Sequence, residues 1–121
     1  LEDSIYEIAQ STAKAYDCTV EVDWQLGYPP TVNHANESVR AAAVASGILG
    51  HENVITDLPP SMGAEDFSFM LTEKPGSYIW LGAGPAKEGA MLHNDRYDFN
   101  DSVLATGASY WARLVESELP K

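Results

Sequence analysis

His93 carries the clearest chemical potential in this chain of 121 residues. It stands in Met91-Leu92-His93-Asn94-Asp95-Arg96-Tyr97-Asp98-Phe99-Asn100-Asp101, a polar stretch between an apolar run and the longest helical pattern. A neutral imidazole there could bind a metal, with the neighbouring carboxylates and Asn94 holding its ring in place. One histidine makes no metal site, since a catalytic zinc normally takes three protein ligands and keeps a position open. His34 and His51 show no ligand spacing such as H-x-x-x-H. Two readings of His93 follow from the residues alone. It is a ligand whose partners lie outside these residues, or it is a hydrogen-bonded structural histidine.

A second stretch with chemical potential is Ser61-Met62-Gly63-Ala64-Glu65-Asp66-Phe67, a glycine-containing turn opening a helix. Free N–H groups at such a point can hold an anion or a substrate carboxylate. The plainer reading is that Ser61 caps, Gly63 turns, and Glu65 and Asp66 answer the helix dipole. Paired acid–base work by Glu65 and Asp66 is weaker still, because adjacent helical residues point in different directions. Gly82-Ala83-Gly84 lacks the rest of a G-x-G-x-x-G fingerprint, and no G-x-S-x-G or Cys/His pairing supports covalent catalysis. His34 reads as solvated or capping, His51 as a surface residue, and Tyr97 and Phe99 as anchors that bury themselves under the His93 loop.

The elements that must position these residues follow in chain order. Residues 4–16 have the helical period, with Ser4 and Glu7 at capping-box spacing. Residues 18–26 alternate, with Cys18, Val20, Val22, Trp24 and Leu26 on one face, as a half-buried strand does. Cys18 is therefore expected in the core. Gly27-Tyr28-Pro29-Pro30 breaks this pattern and stiffens the chain into a linker. A domain boundary belongs there, because one helix and one strand are too little for a stable domain. An Ala-rich helix is expected over about 37–46, capped by Asn36 and ended by Gly47 and Gly50. A short strand follows at 53–56, then a helix at about 64–73 stopped by Pro75-Gly76. Tyr78-Ile79-Trp80-Leu81 reads as a strand buried on both faces of a helix-covered sheet. Residues 85–91 read as loop, and Asn100 or Asp101 caps a last helix to about Glu118. The second part is thus α/β, and the first looks like the end of a separate α+β unit.

Composition sets outer limits. The net charge of −11 argues against nucleic acid or an anionic membrane as partner, since both call for basic patches. No run approaches the roughly 18 apolar residues of a membrane span. The chain starts without Met and enters a helix almost at once, which reads as a fragment, and no signal peptide is visible. A single cysteine excludes an internal disulfide framework and fits a reducing, cytoplasmic setting.

Taken together, three segments resemble the C-terminal part of the M20 metallopeptidases. They are Tyr28-Pro29-Pro30-Thr31-Val32-Asn33, Met62-Gly63-Ala64-Glu65-Asp66-Phe67, and Leu92-His93-Asn94 with Tyr97-Asp98-Phe99-Asn100-Asp101. The likeness is greatest to the aminoacylase and hippurate hydrolase type of amidohydrolase, and it runs through essentially the whole chain. It implies a zinc-peptidase-like α/β catalytic domain with an inserted ferredoxin-like lid. Residues 1–29 would end that lid, and residues 30–121 would form the last portion of the catalytic domain. It makes His93 the last ligand of a two-metal centre (zinc, or manganese, cobalt or nickel). It also places Gly63, Ala64 and Glu65 beside the substrate pocket.

In that family two divalent ions activate a shared water for hydrolysis of the amide bond of N-acyl amino acids, with a Glu as general base. The Glu, the Cys-x-His and the remaining ligands have no counterpart in these residues. The resemblance therefore assigns no catalytic residue here, and the chain alone is expected to be inactive and to hold no metal or one weakly. Asp95 stands where the family often has Pro, which affects only local loop stiffness. A small N-acyl amino acid is the expected ligand, and a homodimer through the lid is the expected assembly. The rival expectation is a non-catalytic binding or oligomerisation module that keeps the fold without the chemistry.

Overall fold

The helical periods become α-helices in the computed structural model, which describes residues 1–84 and 90–119. Helix α1 spans Glu2–Ala15, with Glu2 and Asp3 in its first turn and Lys14 in its last, each on the side the dipole favours. It starts at Leu1 without a side-chain cap, so the Ser4–Glu7 box does not form. Helix α2 spans Ala35–Leu49 with His34, not Asn36, at its N-cap. Gly47 lies inside it. Gly50 ends it with φ 86°, a left-handed value that costs glycine least. Helix α3, Phe67–Glu73, is shorter than the sequence pattern suggests and begins only after Asp66. Helix α4 spans Leu104–Glu118. It is preceded by a 3-10 turn over Asp101–Val103, where the Asn100 side chain accepts from the Ser102 amide.

The core sits where α2 packs on α4, burying Ala41 and Tyr110. Arg40 of α2 adds an ion pair to Glu118 of α4 at 3.2 Å. Residues 77–81 lie across this pair with alternating faces. Ser77 and Ile79 line a groove of about 190 Å³ with Ala41, Tyr110, Trp111 and Leu114. Leu81 rests on α4 at Gly107, where a Cβ would come within 3.2 Å of the Leu81 methyl. A methyl group added there would push the Leu81 side chain back by a few tenths of an ångström. On the opposite face Phe67, Tyr78 and Trp80 form an aromatic row, with centroids 5.5 and 5.9 Å apart.

Strand expectations fare differently. No strand ladder occurs among the described residues. Residues 78–81 are not enclosed on both faces: Ile79 is 38%, Leu81 42% and Trp80 64% exposed. A short 3-10 turn takes His51–Asn53, so nothing pairs over 53–56. Residues 18–26 touch α1 through Val22, whose carbonyl accepts from the Tyr6 hydroxyl at 3.4 Å. Trp24 is half-buried there, but Leu26 is 88% exposed and Cys18 is exposed rather than in the core. The physical reason is common to all three segments. Alternation prepares a strand, but a ladder needs a neighbour roughly 4.8 Å away, and none stands there among the described residues. Of the loop expected over 85–91, residues 85–89 lie outside the described residues.

Accessible area makes the same point in bulk. A compact monomer of 13.2 kDa exposes roughly 6,400 Å², whereas this chain exposes 10358 Å². Large side chains such as Met62, Phe69, Met70, Trp80 and Trp111 contribute to the excess. Helix α1 touches no other helix among the described residues.

Candidate functional site

Glu65 stands at the centre of a hydrogen-bonded node. Its carboxylate accepts from the Tyr78 hydroxyl at 2.8 Å and from the Phe67 amide at 3.3 Å. Its carbonyl accepts from the Thr31 hydroxyl at 3.4 Å. The Tyr78 bond comes first in holding the Glu65 carboxyl below its ordinary range, followed by the Phe67 amide and the Asp66 side chain, with burial opposing. The same bond leads in raising Tyr78, joined by burial and the charges of Glu65 and Asp66. Gly63 donates its amide to the Ser61 hydroxyl at 3.3 Å. Two N–H groups that an anion at this turn would use, those of Gly63 and Phe67, are thus already donated locally. Ser61 and Gly63 close a local turn, but Ser61 does not cap α3, whose N-cap position is Asp66 without a side-chain cap bond. Glu65 does not sit in the first turn of α3; it precedes the helix and braces it.

The hinge is stitched to this node by side chains acting as backbone. Asn33 donates its amide nitrogen to the Tyr78 carbonyl and accepts from the Tyr78 amide, both at 2.8 Å. The His34 amide donates to the Gly76 carbonyl at 3.0 Å, while the Gly76 amide donates to His34 Nδ1 at 3.2 Å. His34 thus occupies a capping position but turns its ring to Gly76. The sequence places Asn33 beside the prolines, at the end of one segment that carries the family resemblance, without naming its partner. Nothing local could reveal a partner 45 positions away.

His93 lies in a different setting. Its backbone is left-handed at φ 65°, a region few non-glycine residues enter. The side chain is exposed, and no hydrogen bond reaches the ring among the described residues. Asn94 does not hold that ring; its Oδ1 accepts from the Arg96 amide at 2.9 Å and shapes the following turn. Tyr97 and Phe99 are 36% and 45% exposed, so they do not anchor the loop by burial. Further on, Asn100 ties the loop end to residue 83 by donating to the Ala83 carbonyl at 2.9 Å.

Among the described residues no three His, Cys, Asp or Glu side chains stand close enough to hold an ion. His51 is exposed, as expected of a surface residue. No helix among the described residues is long and apolar enough to cross a membrane.

This combination of a braced glycine turn and an open histidine loop occurs in a chain with an evident kinship. A family model described as peptidase family M20/M25/M40 matches residues 3–117. The chain belongs to that family. Hippurate hydrolase of Campylobacter jejuni is 34% identical over 114 residues, which cover 94% of this chain and 29% of that protein. Thermostable carboxypeptidase 1 of Saccharolobus solfataricus is 31% identical, covering 94% of this chain and 29% of that protein. N-acetyldiaminopimelate deacetylase of Pediococcus pentosaceus is 27% identical, covering 100% and 30%. The chain therefore spans about three tenths of the length of the curated relatives it matches. No solved structure matches it.

Proposed function

We propose that these residues are the C-terminal part of a metal-dependent amidohydrolase that cleaves the amide bond of N-acyl amino acids, hippurate-like or related conjugates. One observation carries the reading: His93 keeps an exposed ring on a left-handed backbone, inside the region that matches the family. An uncommon backbone conformation is an observation from which a functional hypothesis can start. The relative named as a hippurate hydrolase gives the substrate class its support.

His93 would supply one ligand to a pair of divalent ions, and the other ligands would come from the remainder of the longer protein. Such ions, when bound, supply an activated water and polarise a carbonyl. The part played by this chain is to present the imidazole and to hold the Gly63-Ala64-Glu65 turn at the substrate. Within that turn Gly63 and Ala64 would face the substrate, while Glu65 braces them through Tyr78 and Phe67. Residues 1–29 would close the lid, and residues 30–121 would complete an α/β catalytic domain. The isolation of α1 from the other helices supports that division, and the alternating faces of 77–81 support a strand at the centre of the second part. The test is hydrolysis of N-benzoylglycine by the full gene product. Release of glycine that stops on chelation and returns with added divalent metal is the expected result. Absence of amide hydrolysis across a panel of N-acyl amino acids would overturn the reading.

A further inference from the structure

We propose that Asn33 is a positioning residue whose carboxamide replaces a strand partner of Tyr78 and thereby fixes the hinge against the substrate turn. The inference deepens the functional reading above and rests on it for the word substrate.

A carboxamide carries one acceptor and one donor in the plane of an amide, the same pair that a peptide group offers a strand. Asn33 uses both on one residue, meeting the Tyr78 amide and carbonyl at 2.8 Å each. This is the pairing a neighbouring strand would make, supplied here by a side chain. It leaves Tyr78 held at both backbone groups, and the Tyr78 ring then reaches Glu65 at 2.8 Å. The chain of contacts runs from the hinge residue through a backbone and a phenol to the turn that carries Gly63 and Ala64. Two further bonds run alongside it, His34 to Gly76 and Thr31 to Glu65.

The chemistry predicts that this position tolerates little. Aspartate keeps the size and the acceptor for the Tyr78 amide, but turns a second acceptor toward the Tyr78 carbonyl. Alanine loses both bonds. A hinge released at Asn33 lets the Pro29-Pro30 segment leave the catalytic part at a variable angle, and the Glu65 turn loses its fixed backing. Substrate binding should suffer more than turnover, because nothing in the contact chain reaches the bond being cleaved.

The experiment uses the full gene product, read by hydrogen exchange at Tyr78 and Gly76 and by steady-state hydrolysis of N-benzoylglycine. For Asn33→Ala, Tyr78 exchange should speed up about tenfold and KM should rise about tenfold, with kcat held within about threefold. For Asn33→Asp, Tyr78 should stay protected through its retained acceptor while KM moves toward the alanine value. Tyr78→Phe cuts only the Glu65 arm, so Tyr78 protection should persist with a KM rise of about threefold. Asn33→Asp keeps the test alive if alanine fails to fold. Unchanged Tyr78 exchange in Asn33→Ala, or a fall in kcat at constant KM in either Asn33 variant, overturns the proposal. A wild-type protein without amide hydrolysis overturns the functional reading separately, and the exchange comparison still decides whether Asn33 pins the hinge.

Discussion

Glu65 and His93 lie in the two stretches of this chain with chemical potential, and their surroundings separate them. Glu65 has a hydroxyl and an amide on its carboxylate and a hydroxyl on its carbonyl. His93 sits on an exposed loop with no hydrogen bond to its ring among the described residues. A group already satisfied by its own chain is suited to holding other atoms in place. A group left open on an unusual backbone is suited to meeting something from outside. Glu65 is thus a brace within the chain, and His93 is the residue proposed above as a ligand.

The largest expected effect lies on the open side of that contrast. His93→Ala in the full gene product should lower kcat/KM at least about a hundredfold, as loss of a metal ligand does, with circular dichroism unchanged. Wild-type kcat/KM in that variant would remove the distinction between the two residues. Next comes a control in the packing. Leu71 is buried in α3 beside Gly76, so Leu71→Ala should cost about 2–4 kcal/mol in a denaturant titration. A loss under about 0.5 kcal/mol would mean that α3 does not support the braced turn as described.

A smaller effect tests the brace through pH. The lowered Glu65 carboxyl contributes stability in full above its ordinary value of 4.5, and that contribution is lost as pH falls through its lower folded value. The raised Tyr78 hydroxyl contributes in full below its ordinary value of 10.0, and the contribution is lost as pH rises through its higher folded value. The stability difference between wild type and Tyr78→Phe should therefore be flat between those values and shrink beyond both. A difference that grows in acid would contradict the bond. Cys18→Ser should be the mildest change, within about 0.5 kcal/mol, because the thiol is exposed. A large loss there would return Cys18 to a core.

How much of this was legible beforehand varies by element. Helices α1, α2 and α4 follow from their 3.6-residue periods, because a helix satisfies its backbone within one segment. Helix ends were less accessible: His34 rather than Asn36 caps α2, and α3 starts only at Phe67. Alternation over 18–26 was real in sequence but formed no ladder, because strand pairing depends on a second segment. The His93 loop was marked by composition alone. The Asn33–Tyr78 clamp was invisible, since a side chain that imitates a strand leaves no periodic trace in sequence.

Metal content per chain tests the central claim most directly. Purified full gene product, wild type and His93→Ala, would be measured by elemental analysis after loading with a single divalent metal and removal of excess. The account predicts close to two ions in the wild type and a loss of at least one in the variant, with the helical signal retained. Two firmly held ions in both proteins would contradict it.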